Sequence, residues 1–489
     1  MSGEEQRIEL SLVSHTNVGK TTLARSLLGR EVGEVHDAAH VTVQAEPFIM
    51  VETVEGDLLR LWDTPGFGDS ARLAARLAQS GNPIGWFLTQ VWDRWRDRAF
   101  WSSQQAVRNV REAADVVLYL VSAAEDPQQA GYVEPEMRIL EWIGKPAILL
   151  LNQAGPPRPA AEEEAEVERW RAHVRAHAFV RDVLTLDAFA RFWVQEFSLI
   201  DALAEAVPEE KRAAFARLAQ AWHARRLAQF DDSMRTLAQL IARVACDREL
   251  LPEQGIGERL RDVGALFGAG SRSDGAKARA SEQLAQRYRS AVRSAADRLI
   301  SIHGLQGRAA EVVLARVAEN VSADAPVHEG RAAVVGGLVS GALSGLAADL
   351  ASGGMTLGAG LLTGGLLGAL GAAGLAHGFN LVRGADQAAV AWSGEFVLEL
   401  VSTQLLTYLA VAHFGRGRGE WHESEHPPFW REAVREELDA RRQSLREIVG
   451  TSRDANEEAH LTAQLHPLLR AAVRSLTRRL YPKAAPIPE

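Results

Sequence analysis

The chain has 489 residues, and its 54 lysine and arginine residues against 63 aspartate and glutamate residues give a formal net charge of −9. This length allows two or three domains with sizeable cores, and the acidic balance argues against a general nucleic-acid-binding protein. The single cysteine, Cys246, excludes an intramolecular disulfide framework. The polar, acidic N-terminus carries no apolar signal segment, so we expect the N-terminal domain to face the cytoplasm.

The first predicted strand, residues 8–13, leads through a tight loop into a helix that starts at Thr21. Backbone N–H groups of such a loop can bind phosphates, Lys20 can reach the β and γ phosphates, and the Thr21 hydroxyl can bind Mg²⁺. Ser14 stands where the pattern G-x-x-x-x-G-K-[ST] has its first glycine, and it restricts the backbone more than glycine while leaving room for phosphates. The predicted nucleotide-binding residues are Ser14, Asn17, Val18, Gly19, Lys20, Thr21 and Thr22, with Asn152 further along the chain.

The next segments predict the two switch regions of a nucleotide-binding protein. Residues 33–43 are polar and irregular, and Thr42 either binds Mg²⁺ in the triphosphate state or starts the following strand. Residues 48–54 and 58–62 predict an antiparallel hairpin. The second strand brings Asp63 to its end, where the carboxylate can hold Mg²⁺ through water, and the Gly66 amide can sense a γ-phosphate. The alternative, a strand followed by an ordinary Pro-Gly turn, is less favoured downstream of a phosphate loop. The predicted catalytic residues are Lys20, Thr21, Asp63 and Gly66, and the predicted metal ligands are Thr21, Asp63 and Thr42.

Both motifs resemble those of the bacterial Era/TrmE-like P-loop GTPases, whose loops share the core Asn-Val-Gly-Lys-[Ser/Thr]. The phrase from His15 to Thr21 and the segment from Tyr132 to Leu140 resemble more narrowly the bacterial GTPases that carry the uncharacterised DUF3482 region. The resemblance implies GTP or GDP and Mg²⁺ as ligands, and Asn17 implies a contact with K⁺. Phe67 stands where Ras-like proteins place a water-orienting glutamine, which implies slow hydrolysis and a catalytic group from a partner protein or a second copy of the chain.

The remainder of the N-terminal region predicts an insertion and the last strands of a sheet. Residues 70–111 are helical in pattern and rich in aromatic residues, which either pack on the domain, as we prefer, or form a partner site. The apolar runs 114–121 and 146–151 predict buried parallel strands. Asn152 matches the asparagine of the guanine-reading pattern Asn-Lys-x-Asp, but Gln153 and Gly155 do not match. We still favour GTP over ATP, because the remaining motifs are those of GTPases.

These features predict an α/β P-loop GTPase domain over residues 1–206, with a mostly parallel sheet and helices on both faces. An elongated all-α region follows, with a long-helix stalk or bundle over 207–330 and further helices over 385–489 that pack back on it. Between them, residues 331–384 contain a glycine-rich apolar helical hairpin. Its apolar segments, residues 332–348 and 350–376, carry glycine at every fourth position, which lets helices approach closely. The longer segment exceeds the roughly 20 residues that span a bilayer.

The sequence thus favours a GTP-binding and GTP-hydrolysing switch that couples its nucleotide state to a membrane-associating helical region. The expected partners are guanine nucleotide, membrane lipid at residues 332–376, and a second copy of the chain or a partner protein, with no nucleic acid. This interpretation places the protein in the cytoplasm at the inner face of the membrane. The alternative is a nucleotide-binding scaffold or interaction protein with little or no hydrolysis, whose helices form a fully soluble bundle.

Overall fold

The computed structural model describes residues 5–15, 18–28, 46–64, 66–67, 69–79, 107, 110–153, 160–186, 193–251, 272–304, 379–383, 388–413, 429–451, 455–482 and 487. Asn17, Thr42, Gly155, the aromatic residues of the predicted insertion and residues 332–376 of the predicted glycine-rich hairpin lie outside these residues. The chain divides into two compact units. The first comprises Met1–Ala228, His413–Pro427 and Tyr481–Glu489, and the second comprises Gln229–Ala412 and Pro428–Leu480.

The first unit contains a six-stranded sheet in the order β2-β3-β1-β4-β5-β6. All neighbouring strands are parallel except β2 and β3, which form the predicted antiparallel hairpin. The mostly parallel α/β fold predicted from the sequence is therefore confirmed. The strands are β1 (Arg7–Ser14), β2 (Glu46–Glu52), β3 (Leu58–Asp63), β4 (Val116–Ser122), β5 (Ala147–Asn152) and β6 (Val180–Thr185).

The strands β1, β4 and β5 lie in the centre of the sheet because they consist mainly of apolar residues. Every residue of β4 and of β5 is buried, and in β1 every residue after the first is buried. Such continuous apolar runs are typical of parallel strands that are covered on both faces. The helices of this unit are α1 (Lys20–Leu28), α2 (Ser70–Gln79), α3 (Val133–Ile143), α4 (Ala160–Val174) and α5 (Gln195–Ala206). Because β1, β3 and β5 are parallel, Ser14, Asp63 and Asn152 at their carboxyl ends lie along one edge of the sheet.

A 35-residue helix, α6 (Arg212–Cys246), follows a 3₁₀ turn at Glu209–Lys211. Its last residues belong to the second unit, which is mainly helical, as predicted. That unit contains α7 (Arg272–Ile302), α8 (Gly394–His413), α9 (Phe429–Thr451) and α10 (Glu458–Leu480). In its core, the Tyr288 ring lies 5.3 Å from the Trp392 ring and 5.4 Å from the Phe396 ring. Asp231 Oδ1 of α6 lies 3.1 Å from His466 Nε2 and 3.4 Å from Arg470 Nε of α10. The C-terminal helix therefore packs on α6 within this unit.

The second unit also contains three short strands where the sequence pattern predicted only helices. These are β7 (Arg248–Leu250), β8 (Phe379–Arg383) and β9 (Ala388–Trp392), and β9 pairs with both of the others in an antiparallel sheet. The prediction of helices over residues 385–489 was wrong at its start, because β9 occupies that part and the first helix begins only at Gly394. A short apolar run is compatible with either structure, and here strand pairing decides between them.

Among the described residues, one helical stretch, Gly394–Ala412 of α8, meets the length and composition expected of a membrane span. Its mean hydropathy is 1.3, and 72% of the segment is buried inside the protein. The core helices of soluble proteins have the same composition, so this observation by itself is weak evidence for a membrane.

Candidate functional site

The loop between β1 and α1 brings several of the predicted nucleotide-binding residues together. The Lys20 ammonium group donates a hydrogen bond to Ser14 Oγ at 2.9 Å and lies 3.4 Å from the carbonyl oxygen of His15. Ser14 Oγ in turn donates to that same carbonyl oxygen. Ser14 is fully buried and Lys20 is 8% exposed. The serine that replaces the first glycine of the motif therefore contacts the lysine directly.

Thr21 and Asp63, the two predicted metal ligands within the described residues, lie next to each other. The Thr21 hydroxyl donates to Asp63 Oδ2 at 2.7 Å, although 42 positions separate them in the sequence. Asp63 ends β3 and is 2% exposed. A hydroxyl and a carboxylate are the hard oxygen donors that Mg²⁺ prefers. The residues present therefore fit a magnesium ion held by Thr21 and by Asp63, directly or through water.

The electrostatics of Lys20 follow from its surroundings. Burial lowers the pKa of the Lys20 ammonium group, while the carboxylates of Asp63 and Glu136 act in the opposite direction and raise that pKa. Lys20 is therefore a buried cation whose charge is stabilised by two nearby carboxylates. Such a site can exchange its internal partners for the oxygens of a phosphate group.

Asn152, at the end of β5, binds the phosphate loop. Its Nδ2 donates to the carbonyl oxygen of Val18 at 2.7 Å, and its side chain is fully buried. Gly19 has a φ of +89°, and a Cβ atom there would lie 2.7 Å from Asn152 Nδ2. The loop can pass this close to Asn152 only because residue 19 is glycine.

The switch segment after β3 also lies against the phosphate loop. The Phe67 amide donates to the carbonyl oxygen of Ser14 at 3.0 Å, and Gly66 is buried beside it. The Phe67 ring is fully buried in the hydrophobic core of the first unit. Thr22 and Val18 are both buried as well, at 5% exposure. The roles of Thr22 and Val18 in nucleotide binding remain predictions, as do those of Asn17 and Thr42.

Sequence reasoning missed a buried polar cluster behind the loop. His15 Nδ1 lies 3.0 Å from Glu136 Oε1, the Tyr119 hydroxyl donates to Glu136 Oε2 at 2.8 Å, and the His15 ring stacks on Tyr132 at 4.4 Å. Glu136 is fully buried, and burial raises the pKa of its carboxyl group while the bonds to His15 and Tyr119 oppose that rise. One signal was present in the sequence: Glu136 shares the apolar face of α3 with Val133, Met137 and Leu140.

Two family models match the chain. Residues 9–153 match the model described as 50S ribosome-binding GTPase, and residues 176–481 match the domain of unknown function DUF3482. The second match covers more than half of the chain. The chain belongs to the DUF3482 family. The N-terminal domain of this DUF3482 protein is a P-loop GTPase domain, as the two motifs predicted. A search of curated proteins found no match to the chain.

Solved structures similar to this DUF3482 protein include Era of Aquifex aeolicus bound to GDP and AlF4⁻, and Era in complex with MgGDPNP and a segment of 16S ribosomal RNA. Each is 18% identical with a TM-score of 0.31, and the match covers 42% of this chain but only 58% of the Era chain. The FeoB G-domain of Methanococcus jannaschii is 17% identical with a TM-score of 0.22, and the match covers 44% of this chain and 99% of that one.

Proposed function

We propose that this protein binds GTP together with Mg²⁺ at the loop between β1 and α1, hydrolyses it, and uses its nucleotide state as a switch. The observation that carries the proposal is the 2.7 Å contact between Thr21 Oγ1 and Asp63 Oδ2 beside the Lys20 ammonium group. When bound, Mg²⁺ would supply positive charge that offsets the negative charge developing on the phosphates. Thr21 and Asp63 would hold it, and the loop amides would bind phosphate oxygens.

Lys20 has to change partners when the nucleotide binds. In the structure its ammonium group bonds to Ser14 Oγ, within reach of the loop. A phosphate oxygen is a stronger acceptor than a neutral hydroxyl because it is charged. We therefore expect Lys20 to move from Ser14 to the β and γ phosphates, and the Gly66 amide next to Phe67 to respond to the γ-phosphate.

The second candidate function is a nucleotide-occupied scaffold with little or no hydrolysis. The observation in its favour is the complete burial of Phe67, whose apolar ring cannot orient a water molecule. In the switch interpretation, the missing group comes from a K⁺ ion near Asn17, from a partner protein or from a second copy of the chain. The hydrolysis rate separates these two candidates.

The test is single-turnover hydrolysis of GTP by the full-length protein, with a Lys20→Ala variant as the comparison. We expect Mg²⁺-dependent phosphate release that the variant loses by at least about 100-fold, because a preorganised charge on the transferred phosphate is removed. Reactions with K⁺ or Na⁺, with lipid vesicles and at high protein concentration identify the stimulus. Tight GTP binding with no release under any of these conditions would favour the scaffold. Competition by ATP tests base selectivity, since Gln153 departs from the guanine-reading pattern.

The wider proposal is that the nucleotide state is transmitted to the helical C-terminal region, which associates with the cytoplasmic face of a membrane. The glycine-rich hairpin at residues 332–376 supports this in sequence, and its longer uncharged segment is long enough to span a bilayer. Its lipid contact and any self-association belong to this proposal.

A further inference from the structure

We propose that Glu136 is a positioning residue for the phosphate loop: through His15 it holds the first turn of the loop in the conformation that receives the nucleotide. This inference rests on the proposed nucleotide-binding function and adds to it a residue outside the sequence motifs. The observation that supports the inference is that the His15 ring is held by two contacts. Glu136 binds its ring nitrogen at 3.0 Å, and Tyr132 covers its ring face at 4.4 Å.

The contact between Glu136 and His15 affects the phosphate loop because of where His15 lies. His15 directly follows Ser14 at the end of β1 and forms an isolated parallel bridge with Phe67 of the switch segment. Its carbonyl oxygen receives the Ser14 hydroxyl and lies 3.4 Å from the Lys20 ammonium group. A rotation of His15 would therefore displace the groups that hold Lys20. The side chain of His15 sets the orientation of its own backbone, and Glu136 sets the orientation of that side chain.

The environment of Glu136 indicates that its carboxylate is there for more than packing. It lies on α3 between β4 and the loop, with one oxygen bonded to His15 and the other to Tyr119. Burying a carboxylate is costly even when both of its oxygens are bonded, and a leucine would fill the same face of α3 at a lower cost. The Glu136 carboxylate is fully buried, whereas the His15 side chain is 30% exposed.

The experiment compares four single variants and one double variant of the full-length protein with wild type. Glu136→Ala removes both bonds, and Glu136→Gln keeps them, because the amide oxygen can accept from His15 and the amide nitrogen can donate to Tyr119. His15→Phe keeps a ring to stack on Tyr132 but removes the nitrogen. The control is Glu134→Ala on the same helix, whose carboxylate pairs with Arg138 at the surface. The measurements are the Kd for fluorescent GDP and GTP, the KM and kcat for GTP, and the Tm without nucleotide.

We expect Glu136→Ala and His15→Phe each to raise Kd and KM by about tenfold, the loss of roughly one charge-assisted hydrogen bond. Their kcat should stay within about twofold, because the bonds to the transferred phosphate are unchanged. Glu136→Gln should bind as wild type does, and the double variant Glu136→Ala with His15→Phe should bind no more weakly than either single variant. If Glu136→Ala does not fold, His15→Phe and Glu136→Gln still carry the comparison.

Three results would overturn the inference. They are wild-type Kd values in Glu136→Ala or His15→Phe, equal impairment in Glu136→Gln and Glu136→Ala, and additive effects in the double variant. The first of these results, combined with a lower Tm, would show a purely structural role. Failure of the proposed function looks different, because wild type and Glu134→Ala would then both fail to bind guanine nucleotide, and the inference would fall with that function.

Discussion

Gly19 is the residue at which the phosphate loop has least freedom. Its φ of +89° lies in the left-handed region, and its missing side chain leaves room for Asn152 Nδ2, which would lie 2.7 Å from a Cβ atom. That amide group is occupied by its own hydrogen bond to the Val18 carbonyl. Backbone conformation and side-chain contact therefore demand glycine independently.

We predict that Gly19→Ala lowers the free energy of unfolding by about 1–3 kcal/mol, the usual cost of a residue held in a strained backbone conformation. It should also weaken GDP binding, because the loop must shift away from Asn152. Chemical unfolding and the GDP-induced increase in Tm measure the two effects. The matched control is Gly131→Ala, where an added Cβ meets nothing within 4 Å.

A second substitution separates the two causes. Adding Asn152→Ala to Gly19→Ala removes the steric clash but leaves the left-handed φ, so the double variant should recover only part of the loop geometry. If Gly19→Ala is as stable as wild type and binds GDP equally well, the described loop conformation is not the one that binds nucleotide.

The residues of the site differ in how far a sequence can reveal them. Gly19, Lys20 and Thr21 are neighbours in the chain, and Asp63 ends an alternating strand, so their proximity follows from motif and topology. Glu136 contacts His15 across 121 positions, and a linear pattern carries no information about such a pairing. What the sequence offered was a carboxylate on an apolar helix face, which indicates a buried partner without identifying it.

Side chains of α6 form hydrogen bonds with the hairpin β2–β3. Asp57, in the turn of the hairpin, accepts a hydrogen bond from Arg217 Nε at 2.7 Å and another from the backbone amide of Gln6 at 3.2 Å. Arg225 donates to the Met50 carbonyl at 3.1 Å. The hairpin follows the predicted switch I loop and ends in Asp63. A long helix thus contacts the element that joins the two switch regions.

This attachment predicts a pH-dependent stability. The Arg217 side chain lowers the pKa of Asp57, so the folded state holds the ionised carboxylate more strongly than the unfolded state does. The stabilisation is therefore complete above the unfolded pKa, about 4, and is lost as the pH falls through the lower folded pKa. Arg217→Ala should lower the stability at pH 7, since it leaves the Asp57 carboxylate, which is 1% exposed, with fewer partners.

Chemical unfolding between about pH 3 and pH 7 measures this effect. Wild type should lose more stability than Arg217→Ala as the pH falls, so the difference between them should shrink towards low pH. Arg212→Ala, at the exposed first position of the same helix, is the control and should follow wild type. A constant difference between Arg217→Ala and wild type across the pH range would contradict the assignment to Asp57.

The elements differ in predictability for a physical reason. The strands β4 and β5 are continuous apolar runs bounded by polar residues, and such runs in an α/β pattern become buried strands. In contrast, β9 merges at Gly394 into the apolar sequence of α8, and its partner β7 lies about 140 positions earlier. Its identity as a strand depends on that distant pairing, which the local sequence does not contain.

At the scale of the whole molecule, two segments are apolar enough to contact lipid. The stretch Gly394–Ala412 of α8 has most of its surface packed within the second unit. Its Val401, Leu405 and Leu409 are fully buried, so insertion of this helix into a bilayer would require unpacking a core. The predicted glycine-rich hairpin at residues 332–376 lies outside the described residues, and its longer uncharged segment is long enough to span a bilayer. If the protein associates with membranes, we therefore expect the hairpin to make the contact.

The final prediction follows from this comparison. Full-length protein should float with lipid vesicles, and Gly364→Asp, which places a charge in the longer apolar segment, should reduce the floating fraction at least about tenfold, because a carboxylate in the hydrocarbon costs about 2.5–3.5 kcal/mol. Gly450→Asp, a glycine with open space around it, is the matched control and should float as wild type does. An alkaline carbonate wash then separates permanent spanning, in which the protein stays in the pellet, from reversible insertion, in which it is released. Equal flotation of all three proteins would exclude the hairpin as the lipid contact, and no flotation of wild type would favour a fully soluble bundle.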